Sequence, residues 1–516
     1  VNNLGLPNKI FDFSSFLLYH PFDKEFLLNK NLKMKGIKSD FRHKDFFVEH
    51  FGENIYAVGG YVRDKLLERQ NSSGMVDLII THHPAEKIIS ALKKFGKVNL
   101  VGKSFGVIKY TMDDAVYDIA LPRKDYPKPT EKRGHKDFII ETDPEIPLKE
   151  DLKRRDFRCN SMALRLADDK LIDHFNGVKD VEEKILRLTN PQAFPDDPLR
   201  VVRAARFAST LNFKVDPRIY EISKHTDLTG LSVERISEEL IKILMESPAP
   251  SVGLEEMFKL DALRQLFPDL YRLSLSIQDS SFHPEKDAYG HHTVWKHTVI
   301  SVDQAKRLSE AQNIEGQRKL ALLLSALFHD IGKPKTVQWE FKKGRMVITN
   351  NRHDIEGEKI TKKILTQYKL HSRDGYDLQN TILRLIRCHH RASELWQNRD
   401  VVTKKAYNRL AADVNGEIEL LIILDAADRA GRDEKPVKGL DRTGNWLLNK
   451  FKELNVTGET IQPLIMGRDL KKMGVEPGPS MGKILKKLYQ QQLDDEFRTK
   501  KQGLEIAKKI IKEQDQ

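Results

Sequence analysis

At 516 residues the chain exceeds one ordinary domain and has room for three or more. Its 87 Lys and Arg against 75 Asp and Glu give a formal charge of +12, a balance that suits a polyanionic partner such as RNA. Two cysteines, far apart, exclude a disulfide framework and a cysteine zinc site. The longest apolar runs, such as 320–328, are too short to span a bilayer, and no basic start with an apolar core and cleavage site opens the chain. These features predict a protein of the cytoplasm.

Residues 1–50 mix aromatic and basic side chains without a clean period, which predicts an extension with one short helix at 43–50. From 51 to about 165 short apolar runs alternate with helical stretches, the pattern of an α/β head on a small, largely antiparallel sheet. Its centre is YAVGGYVRDKLLE, followed by VDLII: a strand, a turn at Gly59 and Gly60, a helix, and a return strand carrying Asp77. Two glycines let the backbone approach a phosphate, and the helix N-terminus supplies free N–H donors. Further on, VYDIALPR places Asp118 on an apolar strand, where a lone carboxylate needs a metal ion or an arginine partner.

In FPDDPLRVVRAARFAS the spacing of Asp197 and Arg200 predicts that both project from one helical face, with Arg203 and Arg206 continuing it. A carboxylate accepts from the exocyclic amine of cytosine or adenine, and a guanidinium donates to the neighbouring ring acceptors. The pair would therefore read C and A and reject U and G. Residues 210–285 are helical by period. A second constellation then opens: His297, the adjacent His329 and Asp330, His353, the adjacent His389 and His390, and Asp428 in LLIILDAADRAGR. Imidazole and carboxylate ligands converging in a helical bundle suit a transition metal or Mg2+. In the tail, Lys471, Lys472, Lys483, Lys486 and Lys487 fit either a contact to nucleic-acid phosphates or the solvated face of an amphipathic helix.

GGYVRDKLL with Asp77, GKSFGVIKY at 102–110, LKRRDFRCNSMA at 152–163, LIDHFNGVKD at 171–180 and the Asp197–Arg200 helix resemble the signatures of the bacterial tRNA nucleotidyltransferase and poly(A) polymerase family. The histidine and aspartate series resembles the HD phosphohydrolase family. The resemblance implies an α+β protein. A nucleotidyltransferase head with a mixed sheet (51–165) follows an extension (1–50), and an all-α neck with base-reading helices (166–285), an HD helical domain (286–440) and a helical tail (441–516) come after it. It implies Mg2+ held by Asp77 and Asp118, and a nucleotide bound among Gly59, Gly60, Arg63 and Asp64. Arg154 and Arg155 would meet the triphosphate, Asp156 the ribose hydroxyl, and Asn160 would brace the pocket. The HD set would hold Mn2+, Ni2+ or Co2+. The implied partners are tRNA, CTP and ATP, and the implied reaction is template-independent addition of C, A or both to a tRNA 3′ end.

One position departs from the pattern. The family carries Asp-x-Asp on the return strand, and here the first of the two is Met75. Two readings stay open: an active transferase working with Asp77 and Asp118, or an HD phosphohydrolase acting on cyclic or terminal phosphates and carried on an impaired head.

Overall fold

The computed structural model describes residues 37–69, 76–101, 107–127, 138–342, 344–454, 456 and 461–514. Met75, residues 102–106 of the GKSFG segment and residues 1–36 of the extension lie outside them. The helix expected at the end of the extension is there, at Lys44–Phe51.

Among the described residues nine strands build the head: β1 Ile55–Val58, β2 Val76–Ile80, β3 Lys97–Val101, β4 Val107–Met112, β5 Ala115–Ala120, β6 Arg123–Pro127, β7 Phe138–Thr142, β8 Met162–Arg165 and β9 Lys170–Asp173. β6 and β7 pair only with each other, and the other seven form one sheet in the order β3-β4-β5-β2-β1-β8-β9. Every pairing in that sheet is antiparallel except β2 with β5. The parallel pair sets Asp77 directly opposite Asp118. Since side chains alternate across a strand, matched register puts both carboxylates on one face.

The two faces differ in what covers them. Ile55, Ala57, Val76, Leu78, Ile80, Tyr117 and Ile119 point into the main core. The opposite face carries only a small apolar group, Val58, Ile79, Leu152 and Ala163. It is on this thinly covered face that Asp77 stands, open to solvent.

Behind the head, the helices Leu199–Leu211, Val233–Glu246 and Pro250–Lys259 form the neck. Their core runs without a break into the bundle of Val294–Ala311, Gly316–Phe328, His353–Gln367, Leu378–Cys388 and Ile418–Ala430. The helix Arg442–Glu453 buries Leu447 and Phe451 in the same core. A separate apolar core, built on Ile465, Leu470, Ile484, Leu488 and Phe497, belongs to the tail, and the five tail lysines are all exposed. The helical regions are not purely helical. A short parallel pair, Ile185–Leu186 with Lys214–Val215, ties the start of the neck together, and an antiparallel hairpin, Gln338–Lys342 with Arg345–Thr349, interrupts the bundle. No helix among the described residues is long and apolar enough to cross a membrane.

Candidate active sites in the head and the helical bundle

The glycine turn and the carboxylate face meet at one point. Gly59 has φ +71°, and a Cβ there would lie 2.8 Å from Arg155 Nη1 and 3.8 Å from Asp77 Oδ2. Only glycine combines that backbone with so close an approach. Gly59, Asp77, Asp118 and Arg155 therefore share one corner of the sheet, and the helix Gly60–Leu66 begins there. Protein surrounds Asp77 on most sides although its carboxylate touches solvent. The loss of water raises its pKa, Arg155 opposes that rise, and the charge of Asp118 adds to it. Burial lowers the pKa of Arg155, with Asp151 and Asp77 acting against that. Two like charges and one largely buried guanidinium thus share this corner.

Several residues expected at the nucleotide are instead joined to one another. Arg63 clasps Asp64 through Nε at 2.8 Å and Nη2 at 3.0 Å, and its Nη1 donates to Asn160 Oδ1 at 2.7 Å. Asn160 Nδ2 donates to Asp156 Oδ1 at 3.1 Å, while Arg203 Nε donates to Asp156 Oδ2 at 2.8 Å. Arg203 and Arg206 both reach the buried Glu239, at 3.5 and 2.5 Å. The result is a chain of alternating charges and amides from the glycine-turn helix to the neck. Burial alone would raise the Asp156 pKa, but Arg203 and the Asn160 hydrogen bond hold it at about 2. Arg154 pairs with the buried Asp151 at 2.9 Å.

The expectation of one helical face for Asp197 and Arg200 is corrected. The helix begins at Leu199 with Pro198 as its N-cap, and Asp197 lies before it in extended conformation, at φ −117° and ψ 94°. Proline favours the first turn of a helix and pushes the residue before it out of the α region. Asp197 is held from across the neck by Arg235 at 3.0 Å. Arg200 donates to the carbonyls of Ala193 at 2.7 Å and Arg154 at 2.6 Å. Arg206, buried with its guanidinium 3.8 Å from the Phe207 ring centroid, points into the core.

The second constellation converges tightly. His297 Nε2 lies 2.9 Å from Asp428 Oδ1 and 3.7 Å from Asp330 Oδ2, and His329 Nε2 is 3.2 Å from the same Asp330 oxygen. On the far side of Asp330, His353 Nε2 is 3.4 Å from Oδ1. His353 Nε2 is also 3.3 Å from His389 Nε2 and 3.0 Å from His390 Nε2. One carboxylate thus stands between two imidazole groups. The ring orientations have a common cause: Nδ1 of His329, His353 and His389 faces the backbone carbonyls of Ala326, Asn350 and Ile386 at 2.8, 2.7 and 2.6 Å. A proton kept on Nδ1 leaves the Nε2 lone pair free to bind a metal or accept a hydrogen bond.

Each adjacent pair lies at a helix end: the helices end at Phe328 and Cys388, and His329 and His389 cap them at right-handed helical backbone angles. Gly332 brings in the remaining partner, since a Cβ there would lie 2.1 Å from the carbonyl oxygen of His353.

Sequence reasoning missed three residues here. Glu285 is buried, with Oε1 at 3.2 Å from His297 Nδ1 and 3.0 Å from His283 Nδ1. Burial would raise its pKa, but hydrogen bonds from His283 and His297 hold it at about 2. Lys333 Nζ approaches Asp330 Oδ2 at 2.7 Å and donates to Gln278 Oε1 at 2.8 Å. A lysine three residues after the His-Asp pair was a readable signal. His283 and Glu285 lie in an irregular loop with no period to mark them.

Burial lowers the pKa of His353, and it takes His389 and His390 down to about 3. On the other side, burial works against His329 but Asp330 pushes it up to about 10. Neutral imidazoles packed Nε2 to Nε2 suit a cation better than one another. Neither oxygen of the buried Asp330 receives a well-directed hydrogen bond among the described residues, the Lys333 ammonium being close but poorly aligned. The donor set fits a borderline divalent ion on each side of Asp330. His297, His329, Asp330 and Asp428 would hold one, and Asp330, His353, His389 and His390 the other.

These geometries agree with similarities to known proteins. The poly A polymerase head domain matches residues 55–187, the probable RNA and SrmB-binding site of polymerase A matches 212–273, and the HD domain matches 294–433. The multifunctional CCA protein of Stenotrophomonas maltophilia strain R551-3 is 30% identical over 387 residues, 73% of this chain and 86% of that one. The multifunctional CCA protein of Hahella chejuensis is 30% identical over 407 residues, 75% and 85% of the two chains. Among solved structures, the CCA-adding enzyme of Bacillus stearothermophilus in complex with CTP shares the fold at 20% identity, with a TM-score of 0.55 over 92% of this chain and 97% of that one. A nucleotidyltransferase head followed by an HD domain is thus the class that the carboxylate sheet and the histidine bundle define. The chain belongs to the family of multifunctional CCA proteins.

Proposed function

We propose that the chain adds C and A to the 3′ end of tRNA from CTP and ATP with Mg2+, and that its HD centre is a separate phosphohydrolase using Mn2+, Ni2+ or Co2+, both in the cytoplasm. The observation that carries the first part is the register of β2 on β5, which sets Asp77 against Asp118 beside Arg155 and the open backbone of Gly59. Two hard cations about 4 Å apart need several anionic oxygens. Asp77 and Asp118 supply protein oxygens on one face, and the triphosphate brings its own. Arg155 is the guanidinium at that corner, and Gly59 leaves its backbone uncovered for phosphate. The chain from Arg63 through Asn160 and Asp156 to Arg203 fixes the floor of the pocket against the neck.

Selection of C and A falls to Asp197 and Arg200. Arg235 steadies Asp197, whose Oδ1 takes only a long 3.4 Å bond from the Leu199 amide. Arg200 keeps donors to spare after its two carbonyl bonds, because a guanidinium carries five N–H groups.

For the HD centre, the convergence of five Nε2 atoms and two aspartates carries the reading. The chemistry such ions supply is activation of water near neutral pH. The residues orient the donors, exclude bulk water through burial, and place Lys333 where an anionic oxygen would sit beside Asp330. Domain limits follow the same division: head 51–165, neck 166–285, HD domain 286–440 and tail 441–516.

The test is incubation with tRNA lacking its CCA end, labelled CTP or ATP, and Mg2+, with UTP and GTP as controls. Incorporation of C and A is expected. No incorporation by the natural chain, with activity appearing in Met75→Asp, would leave the HD reading as the chain's function.

A further inference from the structure

Among the described residues, the hairpin Gln338–Lys342 with Arg345–Thr349 contributes no side chain to the main core or to the HD ligand set. Trp339 pairs with Ile348 and Phe341 with Met346, so these four side chains share one face of the ribbon. That face is turned outward: Trp339 is 61% exposed, Phe341 71% and Met346 53%. Val347, on the opposite face, is buried. Exposed aromatic groups gathered in this way mark a surface meant to be covered.

The ribbon's position says what it serves. Its first root follows Lys333, which is bound to Asp330, and its second ends at Asn350, whose carbonyl takes the His353 ring proton at 2.7 Å. Both roots therefore rest on HD-site residues, and five-residue strands carry the aromatic face within about 17 Å of them. Arg345 ties the ribbon to the loop 279–283 by a 2.6 Å bond to Ser281, and that loop leads on to Glu285 beside His297. The segment 333–345, KPKTVQWEFKKGR, holds five basic residues and one acidic one.

Flat aromatic faces beside Lys342 and Arg345, exposed cations in surface ion pairs with Glu340 and Asp279, fit single-stranded nucleic acid, whose bases stack on the rings while its phosphates compete for those cations. We infer that this hairpin is a platform for single-stranded RNA, stacking bases on Trp339 and Phe341 and leading a phosphate-bearing 3′ end to the HD centre. The proposal rests on the hydrolase reading of that centre only for what the RNA is brought to. Binding itself is measured without turnover.

The experiment titrates the full chain with a single-stranded octaribonucleotide ending in a 3′-phosphate, following tryptophan fluorescence and, with a labelled copy, anisotropy. Quenching in the natural chain that disappears in Trp339→Phe, with affinity kept, is expected, because phenylalanine still stacks. Trp339→Ser with Phe341→Ser should weaken binding at least tenfold, and their exposure means the melting temperature should hold. Unchanged affinity in the double variant would overturn the proposal. So would sedimentation showing a dimer of the natural chain that the double variant dissociates, which would assign the face to a second copy.

Discussion

The two centres of this molecule solve the problem of holding cations in opposite ways. In the head, two carboxylates stand on a thinly covered sheet face, one of them open to solvent, with a glycine turn and one arginine as neighbours. In the bundle, five imidazoles and two carboxylates face each other, all buried but His390, most with the ring nitrogen away from the centre already engaged. An open, underprovided site has room for a triphosphate and an RNA end and takes oxygens from them. The bundle brings its own ligands together without substrate. The difference teaches that the head would depend on its substrate for ion ligands far more than the bundle would.

The sharpest way to break this contrast is Asp77→Ala. With Met75 beside it, this aspartate is the only carboxylate between 75 and 80, and its loss should cut nucleotide incorporation by about a thousandfold or more, several kcal/mol of transition-state stabilisation. Full activity in that variant would show that the open corner is not where the chemistry occurs. Next comes the charge chain behind the corner. Asp156→Asn leaves Arg203 with only its longer contact to Glu239, and losing a charged hydrogen-bond partner costs about 1.5–3 kcal/mol, to be read as a lower urea midpoint at unchanged slope. Because the folded Asp156 pKa is depressed to about 2, the pair's contribution is fully present above about pH 4 and is lost as pH falls towards 2. A natural chain and an Asn variant equally stable at pH 7 would contradict the brace.

Smaller effects sharpen the comparison. Glu285 stands 3.2 Å from Nδ1 of His297, so Glu285→Gln should lower metal affinity of the bundle about 10–100-fold in a chelator competition without touching incorporation. In the head, Arg200→Ala should relax the preference for C and A by about 1–3 kcal/mol, read as UTP use relative to CTP. A variant as selective as the natural chain would move base reading elsewhere in the pocket.

How much of this was legible in the sequence follows from how local each feature is. The glycine turn, Asp77 and Asp118 were readable because a strand, a turn and a helix announce themselves in a dozen residues. Their matched register was not, since it depends on β5 returning beside β2 from some forty residues away. The HD ligands were readable as residue types in order, while their division into two groups around Asp330 needed the bundle. Asp197 misled because three-residue spacing implies a shared helical face only if the helix has begun, and Pro198 delays it. The 338–349 hairpin was read as part of a helical domain although its alternation, QWEFK and RMVIT, is that of strands. Glu285 and the pairing of Asp156 with Arg203 come from packing, which no spacing rule records.

The most direct measurement is the metal content of the purified chain, set beside that of Asp77→Ala and His329→Ala. The account predicts a transition metal bound in at least equimolar amount to the natural chain, retained in Asp77→Ala, lowered in His329→Ala, and absent from the head until nucleotide is added with Mg2+. A natural chain free of transition metal after loading with Mn2+, Ni2+ or Co2+, or a content that follows Asp77 instead of His329, would contradict it.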